Sequence, residues 1–415
     1  MSQELDRLPS SDRQDRHISD FSRLISPVEV DTFFREYWEK KPLIISRNQS
    51  DYYAELLTLN DVDNIITSRQ VRFPAIGLVK DGVRLPPSQF TSDIPWGNNA
   101  FTGVINVDKV LSEFQQGTTI ILEALHQRWE PLKMFCHGLE KYLNHPVQTN
   151  IYLTPRGSQG FAPHYDTHDV LALQTAGTKH WRIYSSPIEL PGSGQTYEKS
   201  RFELGEPLHE LDFNSGDFMY IPRGYIHEAL TSESVSLHIT VGVTSYTWAD
   251  VFSEVLTLCR EDPRFRRSLP VGFIEQNARN SSLMREQFAE LLEVFSKSGS
   301  LDYVIDRIAD RFVFTRPQIF DNQLTELTNI DNVGLLTSVR KREEVISRIK
   351  LEDDTVSLIY SGKKIKFPQY VEPALYYIAN NNLFNAESIP CDIDDEGKLT
   401  LVRRLIREGF LTTKL

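Results

Sequence analysis

The chain has 415 residues, more than one hydrophobic core usually serves, so two or three domains are expected. Its 40% hydrophobic and 25% charged residues are typical of an ordinary water-soluble globular protein. The formal net charge of −12 argues against a broad basic surface that grips nucleic-acid phosphates, and it fits a basic protein partner.

The cysteines and the apolar runs indicate the cellular compartment. Cys136, Cys259 and Cys391 lie far apart without a CxxC pair, so neither a disulfide framework nor a structural zinc site is expected. No stretch approaches the apolar length of a membrane helix, and the polar first residues lack the core of a signal peptide. We therefore predict a cytoplasmic protein in which residues 1–24 form a disordered tail.

The first folded elements are predicted from Ser26 onward. Ser26 and Pro27 are typical of an N-cap and a first helical residue. Four aromatic residues then recur at helical spacing and predict a helix docked on a sheet: Phe33, Phe34, Tyr37 and Trp38. The stretch PLIIS that follows predicts a first strand. Up to residue 145, short helical patterns such as Val107 to Gln115 alternate with strand-like pieces.

The next hundred residues have a different pattern. From VQTNIYLTP to SLHITVGVTSY, short β-rich runs are separated by Pro, Gly and Ser. Runs of this length and spacing predict a small antiparallel barrel or jelly roll. We therefore expect a mainly β core with flanking helices over residues 25–247.

Two further segments follow the predicted barrel. Helical periodicity returns after Trp248, which predicts a helical region over residues 248–350. The pattern over residues 351–415 is a strand pair, two helices and a terminal strand, the order of a winged-helix-like domain. That segment has 8 Lys and Arg against 10 Asp and Glu, a net charge of −2, so no specific DNA binding is expected.

Three residues predict a metal centre inside the barrel. His164 and Asp166 are two positions apart, so on a β-strand their side chains share one face. His227 follows 63 residues later, after a strand and a Pro-Arg-Gly turn. Two imidazoles and one carboxylate form the facial triad of non-haem Fe(II) oxygenases, although the same set also suits a catalytic zinc. An HxD pair by itself is more often a surface feature.

A binding site for an organic cosubstrate would distinguish an Fe(II) oxygenase from a zinc enzyme. Lys179 lies 15 residues after His164 and follows Gly177, a probable turn residue. If the strands on either side of Gly177 pair as a hairpin, the ammonium can reach a dicarboxylate chelated to the metal. A lysine at the start of a strand is usually solvated. The spacing from His164 is what makes Lys179 a candidate for binding the cosubstrate.

The sequence resembles a known enzyme family in three motifs. YWEKKPL, NIYLTPRGSQGFAPHYDTHDVLALQTAGTKHWRIY and GDFMYIPRGYIHEA together resemble the ribosomal oxygenase group of JmjC-type, cupin-fold 2-oxoglutarate oxygenases. The resemblance is close over residues 25–245 and looser beyond them. It implies a double-stranded β-helix barrel, followed by a helical region and a winged-helix-like domain.

The resemblance also assigns roles to residues of the barrel. It implies that His164, Asp166 and His227 hold Fe(II), with 2-oxoglutarate and O₂ as cosubstrates. Lys179 takes the position of the residue that meets the distal carboxylate of 2-oxoglutarate. The remaining pocket residues implied by the family are Asn150, Tyr152 and Thr240. His168 and Asp169 are expected to support the site without binding the metal, and the role of His238 stays open.

By resemblance, the substrate is an arginine or histidine side chain of a ribosomal protein, a basic partner that suits the net charge. Hydroxylation of a small biosynthetic peptide is an alternative, and so is a non-catalytic cupin that acts as a scaffold. Lysine demethylation uses the same triad. Amphipathic helices such as those after Trp248 are more often part of a core within one chain. The resemblance, however, implies that this segment mediates dimerisation, so we expect a homodimer that places the C-terminal domains beside the barrel mouths.

Overall fold

A computed structural model describes residues 21–68, 70–159, 161–231, 234–275, 282–343 and 345–413. The chain forms two compact units, Met1–Ser245 and Tyr246–Leu415. The first unit contains all seven residues predicted for the metal and cosubstrate site. The second contains the segments predicted as a helical region and a winged-helix-like domain.

The N-terminal segment corrects two predictions. Helix α1 (Phe21–Ile25) buries Phe21, Leu24 and Ile25, so a disordered tail is wrong for residues 21–24, and residues 1–20 lie outside the described ranges. Helix α2 (Val30–Glu36) begins at Val30 after Glu29, and not at Ser26 and Pro27. The aromatic stripe docks on a sheet as predicted, since the rings of Phe33 and Tyr220 lie 5.0 Å apart edge to face.

The strands of the first unit are short and antiparallel. In chain order they are β1 (Leu43–Ile45), β2 (Ile76–Lys80), β3 (Val83–Arg84), β4 (Thr91–Trp96), β5 (Asn99–Ile105), β6 (Thr119–Glu123), β7 (Val147–Thr154), β8 (Asp169–Ala176), β9 (Thr178–Ile183), β10 (His209–Asn214), β11 (Phe218–Ile221), β12 (His227–Thr231) and β13 (Ser236–Val243). Eight form one sheet in the order β1-β11-β8-β13-β7-β6-β2-β3, three form the sheet β10-β9-β12, and β4 pairs with β5.

The two larger sheets enclose the interior of a barrel. One face of the eight-stranded sheet packs on helices α3 (Leu59–Thr67), α4 (Val107–Gln115) and α5 (Glu130–Leu143) through residues such as Ile151, Leu171 and Ile239. The alternate residues of the same strands, with Val170 and Ala172 among them, pack instead against Trp181 and Phe213 of the small sheet. The predicted cupin-type barrel with flanking helices is thus confirmed, and the α4 prediction is correct.

Gly177 marks the place where the chain passes from one sheet to the other. β8 is paired with β11 and β13, and β9 with β10 and β12, so the predicted hairpin across Gly177 is wrong. The residue has a φ of +67°, and an added Cβ would lie 1.7 Å from the carbonyl oxygen of Val235. Only glycine fits there, because a side chain would collide with backbone.

The second unit begins with helices and ends in a mixed α and β module. The helices are α6 (Trp248–Cys259), α7 (Ser282–Lys297), α8 (Leu301–Phe314) and α9 (Gln323–Thr328). They are followed by β14 (Arg340–Lys341), β15 (Arg348–Glu352), β16 (Thr355–Tyr360), β17 (Lys363–Pro368), α10 (Glu372–Asn380), α11 (Asp395–Arg407) and β18 (Leu411–Thr412). β15, β16 and β17 form a three-stranded sheet, and β14 pairs with β18.

One apolar core joins the end of α8 to the C-terminal module. Phe312 and Val313 of α8 belong to the same buried cluster as Leu358 of β16 and Leu405 of α11. The helical segment is therefore packed into the module that follows it. Among the described helices, none has the combination of length and apolar character needed to cross a lipid bilayer.

Candidate metal and cosubstrate site

The structure brings His164, Asp166 and His227 together. One ligand atom of each residue lies within 4.8 Å of the others, and Nε2 of His227 is 3.6 Å from Oδ2 of Asp166. Among the described residues, no other group of three His, Cys, Asp or Glu side chains meets this condition. Two imidazoles and a carboxylate match the donor set of a facial triad, so these side chains fit a divalent metal.

Backbone carbonyls fix both imidazole rings in the orientation that a metal requires. Nδ1 of His164 lies 2.9 Å from the carbonyl oxygen of Ala162, and Nδ1 of His227 lies 3.1 Å from that of Tyr225. A carbonyl can only accept a hydrogen bond, so each Nδ1 carries the proton. Each Nε2 then keeps its lone pair, which is the arrangement commonly found for histidines that bind metal ions.

The backbone positions the triad in a way the sequence did not predict. His164 and Asp166 do not lie on a continuous strand, so that prediction is wrong. His164 forms an isolated bridge with His227, with N–H to O distances of 3.1 and 2.8 Å in the two directions. The amide of Gly224 also donates to the carbonyl of Asp166. Main-chain hydrogen bonds therefore join the two segments that carry the ligands.

Electrostatics favour the metal-binding protonation states of His227 and Asp166. Burial, together with the neighbouring His164, lowers the pKa of His227 to about 4, so this imidazole is neutral at physiological pH. Burial acts to raise the pKa of Asp166, but His227, His168 and His164 outweigh it, and the pKa is lowered. The carboxylate is consequently an anion.

Lys179 is a buried cation beside this centre. Its side chain is 3% exposed, and its Nζ lies 3.3 Å from Oγ1 of Thr154. Burial lowers the pKa of the ammonium to about 7, and no ion pair with a carboxylate is found for it among the described residues. A buried ammonium without an anion is costly, so this position suits the carboxylate of a ligand.

The other predicted pocket residues share one face of the eight-stranded sheet. Asn150 and Tyr152 alternate along β7 with residues of the outer core, and Thr240 of β13 lies opposite Asn150. The ring of His238 stacks on Tyr152 at 4.9 Å. Burial lowers the pKa of His238, and the nearby charge of Lys179 adds to this effect. The structure thus groups Asn150, Tyr152 and Thr240 on the interior side of the barrel.

Two further interior residues were missed by the sequence interpretation. Thr154 contacts Lys179, and the ring of Trp181 lies 5.8 Å from that of His227. Trp181 Nε1 and His238 Nδ1 are buried and have no hydrogen-bond partner within the described part of the chain, so the interior offers polar groups to a ligand. The alternation of strand faces could have identified Thr154 and Trp181. Thr154 is two positions after Tyr152, and Trp181 is two positions after Lys179, so each shares a face with a predicted pocket residue.

An ion pair near the triad was also missed. Nη1 of Arg223 lies 2.8 Å from Oδ2 of Asp169, and its Nη2 lies 2.6 Å from Oε1 of Glu39. Asp169 therefore serves as an internal anion and does not face the metal position. No local pattern identifies such a pair, because 54 positions separate its two members.

Comparisons with known proteins agree with this geometry. The JmjC domain family matches residues 124–251, which include all three residues of the triad. Mouse Ribosomal oxygenase 2 is 30% identical over 346 residues, which cover 75% of this chain and 69% of the mouse protein. The chain belongs to the ribosomal oxygenase family. Chicken Ribosomal oxygenase 1 is 27% identical over 460 residues, covering 99% of this chain and 74% of the chicken protein.

The family's fold extends over most of the chain. The structure of Escherichia coli YcfD, a ribosomal oxygenase in complex with cobalt and 2-oxoglutarate, aligns with a TM-score of 0.52 and 16% identity. The alignment covers 93% of this chain and 98% of YcfD. Both the family and the fold class predicted from the sequence are confirmed, and the chain is an oxygenase.

Proposed function

We propose that this ribosomal oxygenase is an Fe(II)- and 2-oxoglutarate-dependent protein hydroxylase, with an arginine or histidine of a ribosomal protein as its substrate. One observation carries the proposal: a buried lysine, with no carboxylate partner among the described residues, lies in the same barrel as the three residues of a facial triad. A 2-oxoglutarate-dependent oxygenase needs such a cation for the second carboxylate of its cosubstrate, which favours it over a zinc hydrolase.

His164, Asp166 and His227 would hold the Fe(II). With 2-oxoglutarate bound beside it, Fe(II) supplies the oxidising chemistry: O₂ is consumed, 2-oxoglutarate becomes succinate and CO₂, and one oxygen atom enters a substrate C–H bond. The protein contributes ligand orientation through the carbonyls that fix the two imidazoles.

Lys179 binds and orients the cosubstrate. Its ammonium donates to the distal carboxylate of 2-oxoglutarate, and its hydrogen bond to Oγ1 of Thr154 holds the Nζ in position. Asn150, Tyr152 and Thr240 line the adjacent pocket, and the ring of Trp181 excludes water from the side of His227. Burial of Lys179 without a carboxylate partner among the described residues costs free energy in the ligand-free protein. Binding of the 2-oxoglutarate dianion removes this cost and so favours the complex.

A ribosomal protein is the substrate class that the family and the charge of the chain support best. The relatives in mouse and chicken are named ribosomal oxygenases, and ribosomal proteins are basic, whereas this chain has a net charge of −12. Opposite charges steer such partners together. We propose a cytoplasmic location, which the three free cysteines support.

The second unit is proposed to mediate dimerisation. Trp248, Phe252 and Leu256 recur at four-residue spacing on α6 and are 67%, 57% and 39% exposed. Phe288 and Leu292 are exposed on α7, whose Phe295 stacks on Phe252 at 6.2 Å. An apolar stripe of this size suits burial against a second copy. We further propose residues 248–350 as the dimerisation region and 351–415 as a winged-helix-like domain.

The proposal is tested by removing one ligand at a time. His164→Ala and Asp166→Ala should abolish the thermal shift that Co(II) produces in the metal-free protein, and succinate formation with Fe(II). Their melting temperatures without metal should stay close to wild type. His209→Ala, at an exposed histidine of β10, is the matched control and should behave as wild type. Metal-dependent succinate formation in either ligand variant would refute the proposed triad.

A further inference from the structure

Two clefts on the surface of the catalytic unit meet at Glu123, at the end of β6. One has a volume of about 460 Å³ and is lined by Phe73, Glu123 and Arg128 among others. The second, of about 420 Å³, shares Phe73 and Glu123 and extends to Arg84 and Pro86. Glu123 is the single acidic residue lining either cleft within the described part of the chain.

The partner of Glu123 is a guanidinium from the edge of the sheet. Nη1 of Arg84 lies 2.5 Å from Oε1 of Glu123, and the two side chains are 57% and 33% exposed. Gly77 leaves room for this contact, because a Cβ at that position would lie 3.0 Å from Nη1 of Arg84. Ion pairs this exposed are weak, so another cation can displace Arg84 at little cost.

A chain of contacts connects this ion pair with the metal-binding residues. Glu123 is the strand partner of Asn150, and the amide of Ala124 donates to Oδ1 of Asn150. Burial raises the pKa of Tyr152, and the charges of Asp166, Arg84 and Glu123 all act on the same phenol. Tyr152 thus lies within electrostatic reach of both the triad and the ion pair.

The turn that precedes Arg84 also contacts the segment that carries His164. Gly82, between β2 and β3, is so close to Ala162 that an added Cβ would lie 3.5 Å from the Ala162 nitrogen. The carbonyl of Ala162 is the acceptor for Nδ1 of His164. Arg84 therefore lies two residues from a contact with the segment that positions a predicted metal ligand.

We propose that Glu123 receives the guanidinium of a substrate arginine, and that Arg84 occupies this carboxylate in the free enzyme. The inference rests on the proposed hydroxylase function and selects arginine over histidine as the substrate side chain. A carboxylate that binds one guanidinium through a weak, exposed ion pair can exchange it for another. Arginine also presents a planar fork of donors that matches a carboxylate better than an imidazole does.

Binding of two peptides to the Co(II)- and 2-oxoglutarate-loaded protein tests this role. The probes are the fluorescein-labelled pentapeptide Gly-Ala-Arg-Ala-Gly and its counterpart with neutral citrulline, measured by fluorescence anisotropy. Wild type should prefer the arginine peptide by about tenfold, since a charge-assisted hydrogen bond is lost with citrulline. Glu123→Gln should abolish the preference. Arg84→Gln should strengthen arginine binding by about two- to fivefold, because a competitor is removed.

Glu198→Gln is the control for loss of one negative charge, since Glu198 forms an exposed ion pair with Arg201. It should retain the wild-type preference. The inference is overturned if wild type does not distinguish the peptides, or if Glu123→Gln keeps the preference. The thermal shift with 2-oxoglutarate, measured on the same samples, distinguishes failure of the proposed function from failure of the role proposed for Glu123. Absence of that shift in wild type counts against the proposed function, whereas a normal shift without arginine preference counts against Glu123 alone.

Discussion

The guanidinium of Arg223 donates to the carboxylate of Asp169 where both side chains are buried, with Nη1 2.8 Å from Oδ2. Arg223 lies four residues before His227, and Asp169 lies three residues after Asp166. The pair therefore clamps together the two segments that carry the triad. Asp169 also accepts from the hydroxyls of Tyr220 and Ser245, so its oxygens are fully engaged.

Asp169→Asn should weaken both the fold and the metal site. The substitution leaves the Arg223 charge buried with less compensation, which typically costs ~3–5 kcal/mol of unfolding free energy. Loss of ligand support should reduce Co(II) affinity by roughly 10–100-fold. Urea unfolding and Co(II) titration measure the two effects. Asp212→Asn, at a 65% exposed carboxylate paired with His180, should change stability by less than about 1 kcal/mol. Equal changes in stability and Co(II) affinity for Asp169→Asn and Asp212→Asn would contradict a role of the Arg223–Asp169 ion pair in holding the two segments together.

Lys179→Met should stabilise the ligand-free protein while removing its response to 2-oxoglutarate. The pKa of Lys179 is about 7 in the folded state against an ordinary 10.5. The unfolded chain thus binds more protons between these values, and the contribution of Lys179 to stability rises with pH across that window. Methionine removes the penalty, so the melting temperature should rise by a few degrees at pH 6.5, and the gain should shrink towards pH 10. Scanning fluorimetry with and without 2-oxoglutarate measures both. A destabilised variant would mean that the ammonium has an anionic partner.

The affinity for 2-oxoglutarate should fall as the pH rises above neutrality. Lys179 has a pKa of about 7, so it is charged below this value and must take up a proton to bind an anion above it. The dissociation constant should increase on the order of tenfold between pH 6.5 and 8.5, following proton linkage. Calorimetry of the Co(II)-loaded protein checks the trend. Lys179→Met should bind weakly at every pH, and a similar slope in that variant would assign the titration to another group.

Replacement of Phe252 and Leu256 by serine should convert a dimer into a monomer. Both side chains belong to the exposed apolar stripe of α6, and an interface of this kind loses most of its affinity when central apolar residues are removed. Light scattering coupled to size exclusion measures the mass. Thr257→Ser, on the same helix, should remain dimeric. A wild-type protein that is monomeric at high concentration would refute the dimer.

The metal and cosubstrate groups could be proposed from the sequence because local motifs and a family resemblance mark them. His164, Asp166 and Lys179 lie within one short stretch, and a Pro-Arg-Gly turn precedes His227. The structure brings the three proposed metal ligands together, and the roles of all four residues stay predictions. The backbone that assembles them was predicted less well. β8 and β9 lie in different sheets, and His164 pairs with His227 in an isolated bridge. Short β-runs specify alternation of faces, but they do not specify which strand is the partner.

Contacts between distant parts of the chain could not be predicted from local sequence patterns. Arg223 with Asp169, and Arg84 with Glu123, are separated by 54 and 39 positions, and none of these residues has a distinctive local pattern. The tail prediction failed at residues 21–24 for a related reason. Phe21, Leu24 and Ile25 are buried by packing on the rest of the catalytic unit, and polar flanking residues conceal such a short helix.

Oxygen-isotope labelling of the substrate tests the central claim most directly. The purified protein is incubated with Fe(II), 2-oxoglutarate and ribosomes from cells that lack its gene, under ¹⁸O₂, and the ribosomal proteins are analysed by peptide mass spectrometry. The account predicts one arginine or histidine that gains 18 Da under ¹⁸O₂ and 16 Da under ordinary O₂, with no product from Asp166→Ala. Unmodified ribosomal proteins, or a 16 Da gain under ¹⁸O₂ that shows oxygen from water, would contradict it.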